Sequence, residues 1–291
     1  MTKIHNLLRN SSEPIIMGIL NVTPDSFYDG GKFNNVSSAL NHSEKMISEG
    51  ASIIDIGAES SRPGAEEISA SIERQRLEPI LIALRKEFSI PISIDTYKPE
   101  IMEIAIDQGA DMINDIFSLQ KPGAMDAILS SDIHICLMHM QGKPKNMQKN
   151  PIYKDIFSEV NQFLENRIVA CEKNGITRDR LFIDPGFGFG KTFKDNIELF
   201  NSIKKFKKND IPLLIGISRK SMIKKIVGNR VDLICGLGAY MAAKTAAAGA
   251  RIIRTHDVKE TIDALNKRNL ETNPKENLFY SLMDESGFLK G

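Results

Sequence analysis

The feature that most limits how this chain can fold is a short run of apolar residues, rich in Ile and Leu, that recurs eight times along its length. In order the runs are PIIMGILNV (14 to 22), SIIDIG (52 to 57), PISIDT (91 to 96), DMINDI (111 to 116), HICLMH (134 to 139), RLFIDP (180 to 185), PLLIGIS (212 to 218) and RIIRTH (251 to 256). A turn and a stretch with helical spacing follow each run, as in SSALNHSEKMISEG, KPEIMEIAIDQGA, IFSEVNQFLENRIVACEKNG and GAYMAAKTAAAGA. Several of these stretches end in Gly, where a left-handed cap is expected. No hairpin signal separates the runs, so they read as buried parallel strands joined by crossover helices. Eight such units close into a (β/α)8 barrel of the TIM type, an α/β fold; an open doubly wound sheet is the alternative, but it normally has fewer strands in one domain. The expected organisation is a lead-in over 1–13, one barrel domain over 14–268 and a tail over 269–291.

The chain's 291 residues suffice for such a barrel without disulfides or a structural metal. Three widely spaced cysteines, Cys136, Cys171 and Cys235, fit a reducing cytoplasm. The N-terminus MTKIHNLLRNSSEP lacks the apolar core of a secretory signal, and no apolar stretch is long enough to span a membrane. A net charge of +1 argues against nucleic-acid or polybasic membrane binding. The basic cluster of Lys204, Lys205, Lys207 and Lys208 reads as a solvated helix end.

In a barrel the active site lies at the C-terminal rim of the strands. There the runs end in Asn21, Asp55 with Glu59, Asp95, Asn114 with Asp115, His139, Asp184, Ser218 with Arg219 and Lys220, and Arg254 with His256. Converging carboxylates, amides and cations are costly to bury without a ligand. Asp and Asn suit the donor-acceptor edge of a flat heterocycle, whereas Lys, Arg and His suit anionic oxygen. One substrate carrying both a polar ring and a phosphate group would use both sets.

A zinc site is not expected, since the five histidines form no HxH or HExxH and the cysteines no CxxC. A hard ion such as magnesium needs few protein ligands when phosphate supplies others, and Asn21 would be enough. The segment DPGFGFGKT (184 to 192) fails both phosphate-loop patterns, because Pro185 and Lys191 stand where glycines are required. It reads as a loop at the barrel mouth whose small residues let backbone approach a ligand.

Taken together, MGILNVTPDSFYDGG (17 to 31), IDIGAESSRPGA (54 to 65), SIDTYKPE (93 to 100), INDI (113 to 116), CLMHMQGKPKNMQ (136 to 148), DPGFGFGK (184 to 191), GISRKSMI (216 to 223) and IIRTHDV (252 to 258) form an ordered set of motifs over nearly the whole chain. In that order they resemble dihydropteroate synthases, enzymes of folate biosynthesis. The resemblance implies a transferase that condenses 6-hydroxymethyl-7,8-dihydropterin diphosphate with 4-aminobenzoate, giving 7,8-dihydropteroate and diphosphate. It further implies Mg2+, a homodimer and a sulfonamide target. A pterin-dependent methyltransferase on the same barrel is the alternative, but a methyl donor has no diphosphate for the SRPG loop, the SRKS segment and the Arg254-x-His256 pair to hold.

By the same resemblance, Asp95, Asn114, Asp184 and Lys220 line the pterin pocket together with Gly216. Met138 and Phe189 flank one face of the ring and Arg254 stacks on the other. Asn21 with the metal, Ser61, Arg254 and His256 hold the diphosphate. Phe27, Ser61, Arg62, Pro63, Lys220 and Ser221 meet 4-aminobenzoate. The catalytic set is Asp95, Asp184 and Lys220. Departures from the family's usual residues occur at Tyr28, Ala58 and Ser61; serine keeps the hydroxyl usually supplied by threonine, while Ala58 and Tyr28 bear on loop motion.

Overall fold

The computed structural model describes residues 2–23 and 32–266. Phe27, Tyr28, the rest of the first rim loop and the expected tail over 269–291 therefore lie outside the described residues. All eight apolar runs are strands: β1 (Ile15–Asn21), β2 (Ile53–Gly57), β3 (Ile92–Asp95), β4 (Met112–Asp115), β5 (His134–Met138), β6 (Leu181–Asp184), β7 (Leu214–Ile215) and β8 (Ile252–Thr255). Their order is β6-β5-β4-β3-β2-β1-β8-β7, and every pairing is parallel.

One bridge between Ile183 and Leu213 closes the barrel, with the Ile183 N–H donating to the Pro212 carbonyl at 3.1 Å. The seventh strand is much shorter than its apolar run, and Pro212 at its start has no N–H to give a neighbour. The barrel is consequently least knitted between β6, which ends in Asp184, and β7, whose following loop carries Lys220.

The helices are α1 (Lys3–Asn10), α2 (Lys32–Ser48), α3 (Ala70–Glu87), α4 (Pro99–Asp107), α5 (Ala124–Leu129), α6 (Ile156–Lys173), α7 (Phe193–Asn201), α8 (Ser221–Val227), α9 (Val231–Ala248) and α10 (Val258–Asn266). Gly249 ends α9 with φ +118°, in the left-handed cap that the sequence leads one to expect. Ile54, Ile56, Ile94, Ile113, Leu137 and Ile253 face outward, in one core with Leu77, Leu81 and Ile101 of the helices. The lysines at 204, 205, 207 and 208 are exposed around the buried Phe206 of a 3-10 segment, Ile203–Asn209.

The lead-in is more than a tether. Thr2 caps α1, and Ile4, Leu7 and Leu8 follow the i, i+3, i+4 spacing of a helix with one apolar face. That face packs on Ile15, Met17, Ile53, Met112, Cys136, Phe182, Leu214 and Ile252, which fill the floor of the barrel. The Arg251 guanidinium donates to carbonyls of Leu8 (3.1 Å) and Ser11 (2.7 Å), fixing the exit from α1.

A buried histidine sits at this junction. His134 Nε2 lies 2.6 Å from Thr2 Oγ1, and its ring meets that of His5 edge-on at 4.7 Å. Burial first, and His5 second, push its pKa down to about 4. The unfolded chain then binds more protons between pH 4 and 6.5, so stability is complete above about 6.5 and falls toward pH 4. His134 alone contributes a slope of at most about 1.4 kcal/mol per pH unit in that window. Denaturation across the window should show a shallower decline for His134→Gln than for the parent; parallel declines would remove His134 from the acid response.

Candidate active site

Side chains alternate between the two faces of a strand, so the floor residues fix which positions face inward at the mouth. Counting upward in twos brings Asn21, Asp55, Asn114, Met138, Asp184, Gly216 and Arg254 to the inner face, with Asp95 on β3. Asn114, Met138 and Asp184 are almost fully buried. Every pterin-pocket residue proposed from the sequence thus lies at the barrel mouth or, for Phe189 and Lys220, on the loops directly above it.

Arg254 is the electrostatic centre of this mouth. Its Nε donates to Asp55 Oδ2 at 2.7 Å and its Nη2 to Asp95 Oδ2 at 2.8 Å. Gly216 lies against it: a Cβ there would sit in ordinary contact, 3.7 Å from the Arg254 Cβ. Burial works against the arginine's charge, but Asp55 and Asp95 outweigh it and raise its pKa. Burial also lifts Asp95 to about 7, against the pull of Arg254. Asp55 is wholly buried, and its Oδ1 has no hydrogen-bond partner among the described residues. Arg254 is therefore more than a ligand-facing cation, because it neutralises two carboxylates that the barrel has desolvated.

On the opposite side, burial raises Asp184, while the Gly186 N–H, donating to its Oδ1 at 2.8 Å, and Lys220 pull it back. Lys220 Nζ lies 4.1 Å from the centroid of the Phe189 ring, a cation-π contact. Burial and Arg254 lower Lys220 to about 8, so its ammonium can lose a proton within reach of neutral pH. Phe189, Met138, Met147, Tyr97 and Ile116 form a small apolar cluster beside these charges. A flat ring with a polar edge fits such a combination.

Three rim groups are tied up by protein partners. Asp115 faces outward and accepts from the N–H groups of Phe117 and Leu119, both at 2.7 Å, so it caps its own turn. His139 lies outside the barrel with its Nδ1 2.9 Å from Lys191 Nζ, edge-on to Phe163 at 5.0 Å. Burial, then Lys191, hold it neutral with a pKa down to about 2. Glu59 accepts from the Ile68 N–H and the Tyr97 hydroxyl, each at 3.0 Å, and pairs with Lys98, which also donates to Glu73 at 2.6 Å. This clamp, not read from the sequence, ties the two ends of the loop carrying Ser61 to the start of α4.

The glycine-rich segment also differs from expectation. Its close approaches are to protein backbone: a Cβ on Gly186 would fall 1.9 Å from the His139 carbonyl oxygen, and one on Gly190 2.3 Å from that of Gln141. The glycines let the segment press against the end of β5, because no side chain fits between the two backbones. Gly188 leaves space for the Lys220 stem, whose Cδ would be 3.3 Å from a Cβ there.

For the anion and the second substrate, the placement is looser. Ser61 and Asp95 line one cavity of about 280 Å³ that reaches Tyr97, Phe117 and Lys143 to Lys145. Arg62 and Pro63 are exposed on the same loop, which is latched to its neighbour by the Gly64 N–H donating to the Pro144 carbonyl at 3.0 Å. His256 Nδ1 is 3.1 Å from Ser218 Oγ, and burial followed by Arg254 lowers its pKa to about 3. Neighbouring Asp257 is taken by Arg219, so its role is to fix the loop after β7. Ser221 is exposed as the first residue of α8. Ala58 is buried outside the left-handed region, so its replacement of glycine brings no backbone strain.

Among the described residues, no group of three or more His, Cys, Asp or Glu could hold a metal ion. Asn21 nonetheless fits a shared hard ion. Its Oδ1 and the Asp95 Cβ would each lie 3.6 Å from a Cβ on Gly57, and its side chain makes no hydrogen bond to another described residue.

Comparison with known proteins accords with this geometry. The profile of the family described as "Pterin binding enzyme" matches residues 17–256. The dihydropteroate synthase of Escherichia coli K12 is 47% identical over 271 residues, covering 92% of this chain and 95% of that protein. A Yersinia pestis dihydropteroate synthase solved with a sulfonamide drug superposes with a TM-score of 0.81 at 45% identity, over 88% of this chain and 93% of that one. For the Xanthomonas albilineans dihydropteroate synthase solved with 4-aminobenzoic acid, the TM-score is 0.82 at 41% identity, over 88% and 92%. By profile, sequence and barrel alike, the chain belongs to the pterin-binding enzymes and, among them, to the dihydropteroate synthase family.

Proposed function

We propose that the protein joins 6-hydroxymethyl-7,8-dihydropterin diphosphate to 4-aminobenzoate, releasing diphosphate and forming 7,8-dihydropteroate. The observation that carries this reading is the confluence at one mouth of Asn114 and Asp184, for the ring's polar edge, with Arg254 and His256, for the anion. The methyltransferase alternative is not favoured, since the relatives described above are synthases.

When the bond from the pterin methylene to diphosphate breaks, its electron pair leaves with the phosphate oxygen and positive charge develops on the dihydropterin. Groups that meet both charges lower the barrier. Asp184 and Asp95 face the ring, Asp184 with Oδ1 already oriented by Gly186 and Oδ2 without a hydrogen bond among the described residues. Lys220 binds the ring's acceptors beside Phe189, and Met138 packs below. Arg254, with Nε and Nη2 of its guanidinium anchored by Asp55 and Asp95, presents its face to the ring and its remaining N–H groups to phosphate. His256 and the Ser61 hydroxyl complete the anion site. The arylamine nitrogen then attacks the methylene carbon and gives up a proton as the C–N bond forms.

Asn21 would hold a magnesium ion, which would supply further charge stabilisation to the leaving group. Arg62, Pro63 and Ser221, with Phe27 beyond the described residues, would receive 4-aminobenzoate; sulfonamide analogues would compete there. The protein acts as a homodimer in the cytoplasm, a reading supported by the family and by three cysteines without disulfides. Among the described residues, no helix is long and apolar enough to cross a membrane.

The test is diphosphate release, followed with each substrate alone and with both. Release should need the pterin diphosphate and 4-aminobenzoate together and match dihydropteroate formed. Release indifferent to the arylamine would reject the condensation.

A further inference from the structure

We propose that Lys191 is a positioning residue for the pterin subsite: its buried Nζ gathers the 185–190 turn around itself and so sets where Asp184 and Phe189 meet the ring. The assignment rests on the synthase reading of the site. Lys191 is only 2% exposed, and its Nζ is taken up by protein groups. Its Nζ donates to the carbonyls of Gly186 (2.8 Å) and Phe189 (3.1 Å) and lies 2.9 Å from Nδ1 of the neutral His139.

The two residues it grips are those joined directly to the binding groups. The Gly186 N–H orients the Asp184 carboxylate, and the Phe189 ring carries Lys220 on its face. Gly186, Gly188 and Gly190 all have positive φ, at +71°, +78° and +61°, so the turn follows a path that leaves backbone carbonyls directed at one interior point. The outer groups of the turn have other partners. The Gly188 N–H donates to Asn196 Oδ1 at 2.8 Å, and the Tyr153 hydroxyl donates to the Gly190 carbonyl at 2.7 Å. Without Lys191 the inner carbonyls would be buried with no donor to meet them, and the turn would relax away from β5, carrying Asp184 and Phe189 out of register. The loop of Ser61 is held by a separate set of contacts, the Glu59 clamp, and does not depend on Lys191.

The experiment compares Lys191→Met, of similar length without donors, and Lys191→Gln, neutral but still a donor, with the parent in steady-state kinetics for both substrates. In Lys191→Met the KM for the pterin diphosphate should rise on the order of tenfold to a hundredfold, with a smaller rise in Lys191→Gln, while the KM for 4-aminobenzoate stays within about twofold. An unchanged pterin KM, or equal rises for both substrates, would overturn the proposal. Failure of both variants to fold would assign Lys191 to the stability of the whole barrel and overturn it equally. Should the parent itself form no dihydropteroate, the synthase reading fails; an active parent with indifferent variants sinks only the role of Lys191.

Discussion

Arg254→Met should be the most damaging single substitution in the barrel, to stability and to turnover together. The side chain sits between Asp55, which is wholly buried, and Asp95, 15% exposed, so its removal leaves two desolvated carboxylates without a counter-charge. Breaking a buried pair in this way costs about 3 to 5 kcal/mol. The same residue is assigned the leaving diphosphate, and loss of one such charge-stabilising group lowers turnover by about 10² to 10³. The stability deficit should also depend on pH. Asp95 already titrates near 7 in the parent, far above an exposed carboxylate, and without Arg254 it would rise further. The folded state of the variant then binds more protons than the unfolded state up to and beyond neutrality, so its stability improves as pH falls toward the unfolded-state value of about 4. Denaturant melts at pH 8 and pH 6 should show the variant recovering on acidification. A deficit that is the same at both pH values would mean that these carboxylates are not what Arg254 holds.

Asp184→Asn should separate binding from folding. An amide keeps an oxygen to accept the Gly186 N–H, and it removes a carboxylate that burial disfavours, so the thermal midpoint should stay close to the parent's. Toward the pterin it does the opposite. The ring edge offers N–H donors, and an amide nitrogen directed at a donor leaves a buried mismatch that costs about 1 to 3 kcal/mol, and more where a charged acceptor has been lost. The efficiency kcat/KM for the pterin diphosphate should therefore fall by about 10² to 10³. Circular dichroism and steady-state kinetics on one preparation check both halves. Near-parent kinetics in a folded variant would take Asp184 out of the pterin site.

Much of this could be read before any coordinate. The strands were legible because buried parallel strands leave continuous Ile and Leu runs, and eight of them leave little choice of fold. The same continuity hides which way a strand-end residue faces. Asn114 and Asp115 are adjacent and both polar, yet one enters the mouth and the other caps a turn, and no alternation of polar and apolar residues marks the difference. His139 next to Met138 is the same case. The floor histidine and α1 were missed because one short apolar face in a polar lead-in is a weak signal, although Thr2, Ile4, Leu7 and Leu8 carried it. Interactions that set loop shape were not legible, since Glu59, Glu73 and Lys98 are far apart in sequence and meet only when the barrel closes. Lys191 counted in the sequence only as a residue that spoils a dinucleotide pattern; its work depends on a turn folding around it. The family's motifs supplied the remaining roles, and those of Phe27, Arg62, Pro63 and Ser221 rest on that resemblance.

In the proposed reaction a single mouth grips a pterin ring on one side and its departing diphosphate on the other. A crystal structure of the protein with 6-hydroxymethyl-7,8-dihydropterin diphosphate tests it most directly. The ring should lie between Arg254 and Phe189 with its edge on Asp184 and Asn114, and the phosphates among Asn21, Ser61 and His256. Density for the ring away from Asp184, or for phosphates on the far side of the barrel from Arg254, would contradict it.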